Sequence, residues 1–160
     1  MTIEVGQRLP EVTFRVMTSE GPKPRTTQDF FGGRKVVLIG LPGAFTPTCH
    51  NSHLPGYVAN AAQLKAKGVD AIAVTAINDH FVMDAWSKTF GETDVEFLAD
   101  GNGEFASAIG VINDRTSAGM GLRSKRYSML VEDCVVKSLN LDEVAGKVDL
   151  SGAEHMLASL

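Results

Sequence analysis

Cys49 is the residue of this sequence best placed to do chemistry. It follows an apolar run at residues 36–39, which predicts a buried strand, and it precedes apolar residues at helical spacing that begin with Leu54. Cys49 therefore lies where a strand gives way to a helix. Unpaired backbone N–H groups and the positive end of the macrodipole favour an anion at a helix start. The anion that this position would stabilise is a thiolate, the nucleophilic form of cysteine.

The segment that carries Cys49 is rich in proline. Residues 41–56 hold three of the six prolines in the chain. Because Pro55 has no N–H to donate to a carbonyl one turn earlier, a helix that begins near Thr48 must kink or restart before it continues to Lys67. Gly68 is expected to end that helix. The turn around Cys49 is thus predicted to be partly independent of the main helix.

Length and composition predict one folded domain over residues 1–160. A chain of 160 residues can bury about two-thirds of its unfolded surface. The hydrophobic fraction of 44% and the charged fraction of 21% are typical of globular proteins. The net charge of −4 and the lack of a basic stripe beyond residues 123–126 argue against nucleic acid or an anionic membrane as a partner.

The sequence contains two cysteines, Cys49 and Cys134, too few for a disulfide framework. The N-terminus lacks the basic and apolar regions of a signal peptide, and no apolar run has transmembrane length, so we expect a cytoplasmic protein. In a reducing compartment a cysteine is catalytic, redox-sensing or simply buried, and for Cys134 we favour a small hydrophobe in a strand. Cys49 and His53 have metal-like spacing, but no second pair supports a zinc site, so neither metal nor cofactor is predicted.

Strands and helices alternate along the chain and predict an α/β protein. The predicted elements are an edge strand at 11–17, a turn at 21–24, a helical turn at 27–31, strands at 36–39 and 69–77, a helix at 48–67, a helix from Asn78 or Asp79 to Gly91, a strand at 95–99, a short helix at 102–108, a loop at 113–122, a hairpin of 127–131 and 134–139, and a terminal helix opened by a capping box at 151–154. We predict a thioredoxin-like fold with an N-terminal strand extension and a central mixed sheet flanked by helices. The periodicities alone also allow a flavodoxin-like arrangement, but the closing antiparallel hairpin and single helix favour the former.

The loop before the helix contains the pattern Pro42-x-x-x-Thr46-x-x-Cys49. This pattern resembles the active-site motif of the peroxiredoxins, which are thiol peroxidases with a thioredoxin fold. Residues 53–56, 68–70, 78–83 and 126–129 look like the type II (atypical) branch in particular. The resemblance extends over residues 5–160.

The resemblance implies a role for each matching residue. Cys49 would be the peroxidatic thiolate that attacks the O–O bond and becomes a sulfenic acid. Thr46 would place its hydroxyl between the sulfur and the peroxide, donating or accepting as charge moves. Pro42 would shield the pocket from water, and Arg126 would stabilise the thiolate and hold the peroxide oxygens.

The assignment of Arg126 rests on the family pattern, because Arg123 and Lys125 are rival cations a few residues away and Arg126 itself could be a surface cation of a strand. The resemblance also implies a homodimer, for which Phe45 is the candidate contact. We expect Trp86 and Phe90 to belong to the core, His50 to face solvent, and His53 to be a hydrogen-bonded structural residue. The family motif also carries His53, which leaves a secondary role at the site open.

The second cysteine departs from the better-known members of this branch. Plant relatives have a resolving cysteine at the position of Val74. The animal form has one near its C-terminal helix, where this chain has no cysteine. Cys134 matches neither of these positions. We therefore predict a one-cysteine cycle in which the Cys49 sulfenic acid condenses with an outside thiol, from glutathione, glutaredoxin or thioredoxin. The expected substrates are hydrogen peroxide and alkyl hydroperoxides.

Two other functions use the same cysteine chemistry. Cys49-x-x-Ser52 is also the pattern of monothiol thiol-disulfide exchange proteins, and a redox sensor would oxidise without turnover. Exchange proteins of the thioredoxin type need a cis-proline opposite the cysteine, and no proline follows Pro55. The counterpart position falls near Arg126, where a cation suits a peroxide better than a disulfide.

Overall fold

A seven-stranded mixed sheet forms the centre of the structure, a computed structural model that describes residues 1–144 and 146–160. The strands of this sheet lie in the order β2-β1-β5-β4-β3-β8-β9, and a separate hairpin is formed by β6 and β7. The strands are β1 (Thr13–Thr18), β2 (Gly21–Thr26), β3 (Lys35–Gly40), β4 (Ala71–Ala76), β5 (Val95–Ala99), β6 (Ile112–Asp114), β7 (Leu122–Ser124), β8 (Tyr127–Glu132) and β9 (Val135–Leu141). The helices are α1 (Thr27–Phe31), α2 (Leu54–Ala66), α3 (His80–Lys88), α4 (Glu104–Ala108) and α5 (Ala153–Ser159).

Helices cover both faces of the sheet, which is why apolar residues point to both faces of its central strands β3 and β4. Alternate residues of a strand point to opposite faces. In β3, Val36 and Leu38 join a core cluster that includes residues of α1 and α4, whereas Val37 and Ile39 join a cluster with residues of α2, α3 and α5. All four side chains are buried, as the apolar run predicted.

The mixed sheet confirms the thioredoxin-like prediction. Strand β3 pairs in parallel with β4 on one side and antiparallel with β8 on the other. The antiparallel pair of β8 and β9 closes this edge of the sheet, and α5 follows it. The flavodoxin-like alternative is wrong, because β3 has an antiparallel neighbour where that arrangement requires a parallel one.

The N-terminal prediction is partly wrong. Strand β1 is not at the edge, because β2 pairs with it from Gly21 to Thr26, where a turn was predicted. Pro22 and Pro24 made this segment resemble a turn and not a strand. Proline cannot donate to a sheet ladder, but β2 is the outermost strand, where proline is tolerated.

Three further predictions are corrected by long-range packing. The loop predicted at 113–122 contains the ends of the short strands β6 and β7, which pair with each other. Cys134 lies in the turn between β8 and β9, with a positive φ of 67°, and not in a strand. Ser151 does not cap α5, whose N-cap is Gly152 without a side-chain hydrogen bond, since the Ser151 hydroxyl donates to Asp142.

Other local predictions are confirmed by the structure. Helix α1 and strand β5 have the predicted bounds, and Asp79 caps α3 by accepting from the backbone N–H of Val82. Trp86 is fully buried, in agreement with a core role. Within the described ranges we find no helix with the length and apolarity needed to span a bilayer.

Candidate active site

Cys49 lies in the first turns of a continuous helical segment that follows β3. Helical conformation begins at Pro47, and the backbone N–H of His50 donates to the Thr46 carbonyl at 2.8 Å. The sulfur is fully buried and forms no disulfide. Since the N–H groups of a helix's first turn have no acceptor within the helix, their dipoles favour negative charge at this position.

The α-helical hydrogen-bond pattern changes just before Pro55, where the sequence predicts a kink or a restart. Cys49–His53 forms a π-helical turn, in which the N–H of Leu54 reaches the Cys49 carbonyl, and the regular helix α2 starts only afterwards. The ring of Pro55 would clash with the Asn51 carbonyl in an uninterrupted α-helix, and the wider turn relieves this conflict. Cys49 therefore sits on a turn whose geometry is set separately from that of α2.

Arg126 is the cation that contacts the sulfur. Its Nη2 donates to Cys49 Sγ at 3.3 Å, and its side chain is buried although the residue directly precedes β8. The alternative that Arg126 is a surface cation is therefore wrong. Its rival Arg123 instead donates from Nη1 to the Pro42 carbonyl at 3.2 Å. A guanidinium in a buried site stabilises an adjacent thiolate because water screens the pair little.

Pro42 and Thr46 shape the loop in front of the sulfur. Pro42 is buried, and its carbonyl is held by Arg123. The Thr46 hydroxyl donates to the Gly43 carbonyl at 2.7 Å, which leaves the lone pairs of its oxygen free to accept from a substrate O–H. Asn78 anchors the same loop by accepting from the N–H of Ala44 at 2.9 Å.

His53 holds the far side of the Arg126 guanidinium. Arg126 Nη1 donates to His53 Nδ1 at 3.0 Å, and because a guanidinium only donates, the ring proton must lie on Nε2. Nε2 lies 3.1 Å from the Ser151 carbonyl, to which it donates. Burial, and then the charge of Arg126, lower the pKa of His53 to about 4, so the ring stays neutral. The expectation of a hydrogen-bonded His53 is confirmed.

Acid is expected to destabilise the protein through His53. Its pKa is about 4 in the folded state against 6.5 for the free group, so its contribution is complete above pH 6.5 and is lost as the pH falls towards 4. The loss amounts to about 3 kcal/mol. Denaturant unfolding of the parent from pH 7 to 4 measures it. His53→Asn should flatten this slope, whereas His155→Asn, which removes an exposed histidine, should keep it. Equal slopes in all three proteins would contradict this account.

His50 does not face solvent as predicted. It is half-buried, and its Nδ1 accepts a hydrogen bond from Trp86 Nε1 at 2.9 Å. Its ring stacks on Phe45 with centroids 6.0 Å apart. Phe45 itself is 50% exposed beside the site, so its role as a dimer contact stays a prediction.

Cys134 lies far from Cys49. In the pairing of β3 with β8, Gly40 is opposite Tyr127 and Lys35 is opposite Glu132. Cys49 follows β3 beyond the first end of this pair, and Cys134 follows β8 at the second end. The two cysteines thus lie towards opposite ends of a six-residue strand pair that is about 17–20 Å long. A disulfide requires Cα atoms within about 7 Å. Burial also raises the pKa of Cys134, which keeps its thiol protonated.

Sequence reasoning missed Asp142, Ser151 and Asn78. Asp142 and Ser151 are joined to the guanidinium through His53, and Asn78 acts through the backbone of the loop. Of these three residues, only Asn78 lies in a segment that resembles the type II branch, residues 78–83, and that resemblance did not indicate a role for its side chain.

Comparisons with known proteins agree with this fold and site. The profile of the redoxin family matches residues 4–157. Peroxiredoxin-2E-2, chloroplastic, from Oryza sativa subsp. japonica is 47% identical over 99% of this chain and 73% of its own length. Peroxiredoxin-2C from the same plant is 42% identical over 99% of this chain and 98% of its own length. The crystal structure of reduced Prx3 in complex with H2O2 from Vibrio vulnificus superposes with a TM-score of 0.94 at 44% identity, covering 99% of both chains.

The chain belongs to the redoxin family, and within that family to the type II peroxiredoxins. Its activity is therefore that of a thiol peroxidase, with a peroxide as substrate and a thiol as reductant.

Proposed function

We propose that the Cys49 thiolate reduces hydrogen peroxide and alkyl hydroperoxides by direct attack on the terminal oxygen. An S–O bond forms as the O–O bond breaks, and the departing oxygen takes up a proton and leaves as water or an alcohol. Cysteine is oxidised to a sulfenic acid. The observation that carries this proposal is the 3.3 Å contact between Arg126 Nη2 and the buried Cys49 sulfur.

In this proposal each residue beside Cys49 assists the transfer of negative charge from the sulfur to the peroxide oxygens. Arg126 stabilises the thiolate and then the negative charge that develops on the peroxide oxygens. Thr46 accepts a hydrogen bond from the peroxide O–H, which orients the oxygen for attack. Pro42 keeps water from the sulfur. The relative from Vibrio vulnificus, solved in complex with H2O2, supports the choice of substrate.

We propose that the sulfenic acid is regenerated by an outside thiol, through glutathione and glutaredoxin or through thioredoxin. The thiol displaces water from the sulfenic acid to form a mixed disulfide, and a second thiol reduces that disulfide. The separation of Cys134 from Cys49 supports a one-cysteine cycle. An antioxidant role, a homodimer and a cytoplasmic location stay predictions.

Cys134→Ser is expected to keep at least half of the parent turnover with glutathione and glutaredoxin, because Cys134 is too distant to resolve the sulfenic acid. Cys49→Ser is expected to have no turnover. An NADPH-coupled peroxidase assay, run on the three proteins with glutathione plus glutaredoxin or with thioredoxin, measures both. Loss of turnover in Cys134→Ser would refute the one-cysteine cycle. Absence of catalytic turnover in the parent with either reductant would indicate an exchange protein or a sensor.

A further inference from the structure

A short segment after β9 is joined to the candidate site at several points. The Asp142 N–H donates to the Arg126 carbonyl at 3.0 Å. The Ser151 carbonyl accepts from His53 Nε2 at 3.1 Å and from the Tyr57 hydroxyl at 2.6 Å. This segment therefore contacts Arg126 at its backbone and, through His53, at its guanidinium.

The carboxylate of Asp142 connects the first residue of this segment to its last residues. It accepts from the N–H of Ser151 at 3.2 Å, from the Ser151 hydroxyl, and from the N–H of Asp149 at 3.2 Å. Asp142 and Ser151 are both buried. A buried carboxylate costs free energy unless it is hydrogen-bonded, and here three donors offset that cost. The carboxylate thereby orients the Ser151 carbonyl towards His53.

We propose that Asp142 and Ser151, here called the Asp142–Ser151 clamp, are positioning residues that hold Arg126 against Cys49 through His53. The proposal rests on the role of Arg126 in the proposed function. An arginine side chain has many rotamers, and only a donor fixed near the reacting atoms before the reaction contributes fully to the rate. The neutral His53 ring fixes the guanidinium without neutralising its charge, which a carboxylate at that position would do.

A double-mutant cycle tests whether the clamp acts through Arg126. The two carboxylate oxygens of Asp142 accept hydrogen bonds from three donors. Asp142→Asn replaces one of these oxygens by an NH2 group, which cannot accept, so the Ser151 carbonyl should lose its orientation. We expect the rate of peroxide reaction to fall about tenfold or more in the parent and less than twofold in an Arg126→Met background. The same loss in both backgrounds, or less than a twofold loss in the parent, would overturn the proposal. Glu143→Gln, which removes an exposed neighbouring carboxylate, is the matched control and should change neither rate.

Ser151→Ala can replace Asp142→Asn in this cycle if the Asp142→Asn protein does not fold. It removes the hydroxyl contact and keeps the backbone groups, so a loss of about threefold is expected, again only when Arg126 is present. An unchanged rate in this variant would count against the clamp.

The ring proton of His53 provides a readout that does not depend on activity. Because His53 Nε2–H is buried and bonded to Ser151, it should give an exchange-protected ¹H–¹⁵N correlation in the parent and lose that protection in Asp142→Asn or Ser151→Ala. Retained protection in both variants would overturn the proposal. If the parent itself did not react with peroxide, the proposed function would fail, yet this signal would still report on the clamp.

Discussion

Arg126→Met is expected to lower the rate of reaction with hydrogen peroxide by about 10²–10³-fold, equivalent to about 2.7–4 kcal/mol of transition-state stabilisation. Its Nη2 is the donor 3.3 Å from the Cys49 sulfur. Removal of this charge disfavours the thiolate and leaves the developing charge on the peroxide without a partner. Alkylation of Cys49 by iodoacetamide at pH 7 should therefore fall as well.

Arg126→Lys should lie between the parent and Arg126→Met. Lysine keeps the charge but not the planar fork that reaches His53 and Cys49 at once. Lys125→Met is the matched control, because it removes one positive charge from the neighbouring residue and should retain the parent rate. Stopped-flow measurement of peroxide consumption gives all four rates. A parent-like rate in Arg126→Met would exclude Arg126 from the reaction.

Thr46→Val is expected to lower the peroxide rate by about 10²-fold and to leave alkylation of Cys49 nearly unchanged. Valine has the shape of threonine but cannot accept the peroxide O–H. The charge beside the sulfur still comes from Arg126, so the thiolate persists. Loss of Thr46 should therefore slow the peroxide reaction alone, whereas loss of Arg126 should slow both the peroxide reaction and the alkylation of Cys49.

Thr46→Ser is the control for this position. Serine keeps the hydroxyl that donates to the Gly43 carbonyl, so the loop should hold its shape and most of the peroxide rate should remain. Competition between peroxide and iodoacetamide for Cys49 measures both reactions in one sample. Near-full peroxidase turnover in Thr46→Val would show that the hydroxyl takes no part in the reaction.

Most of the fold could be predicted from local patterns, and the failures share a physical cause. Helix α1, strand β5 and the break before Pro55 follow from turn residues and periodicity within a few positions. The strand β2 and the hairpin of β6 and β7 carry weak local signals and exist because a partner strand supplies their hydrogen bonds. Ser151 looked like a helix cap, but its hydroxyl donates to Asp142, a partner nine residues away in the chain.

Local sequence is enough to locate the chemistry. Pro42, Thr46 and Cys49 fall within eight consecutive residues at a strand-to-helix junction, so local geometry alone brings them together. Spacing leaves Arg123, Lys125 and Arg126 as rivals for the cation beside the sulfur, and long-range packing brings Arg126 into contact with it. Arg126 and Cys49 are 77 positions apart, and the choice between Arg126 and Arg123 depends on the directions of their side chains from the backbone before β8. Arg126 contacts His53 and Arg123 contacts the Pro42 carbonyl, and no local pattern encodes such contacts between distant segments.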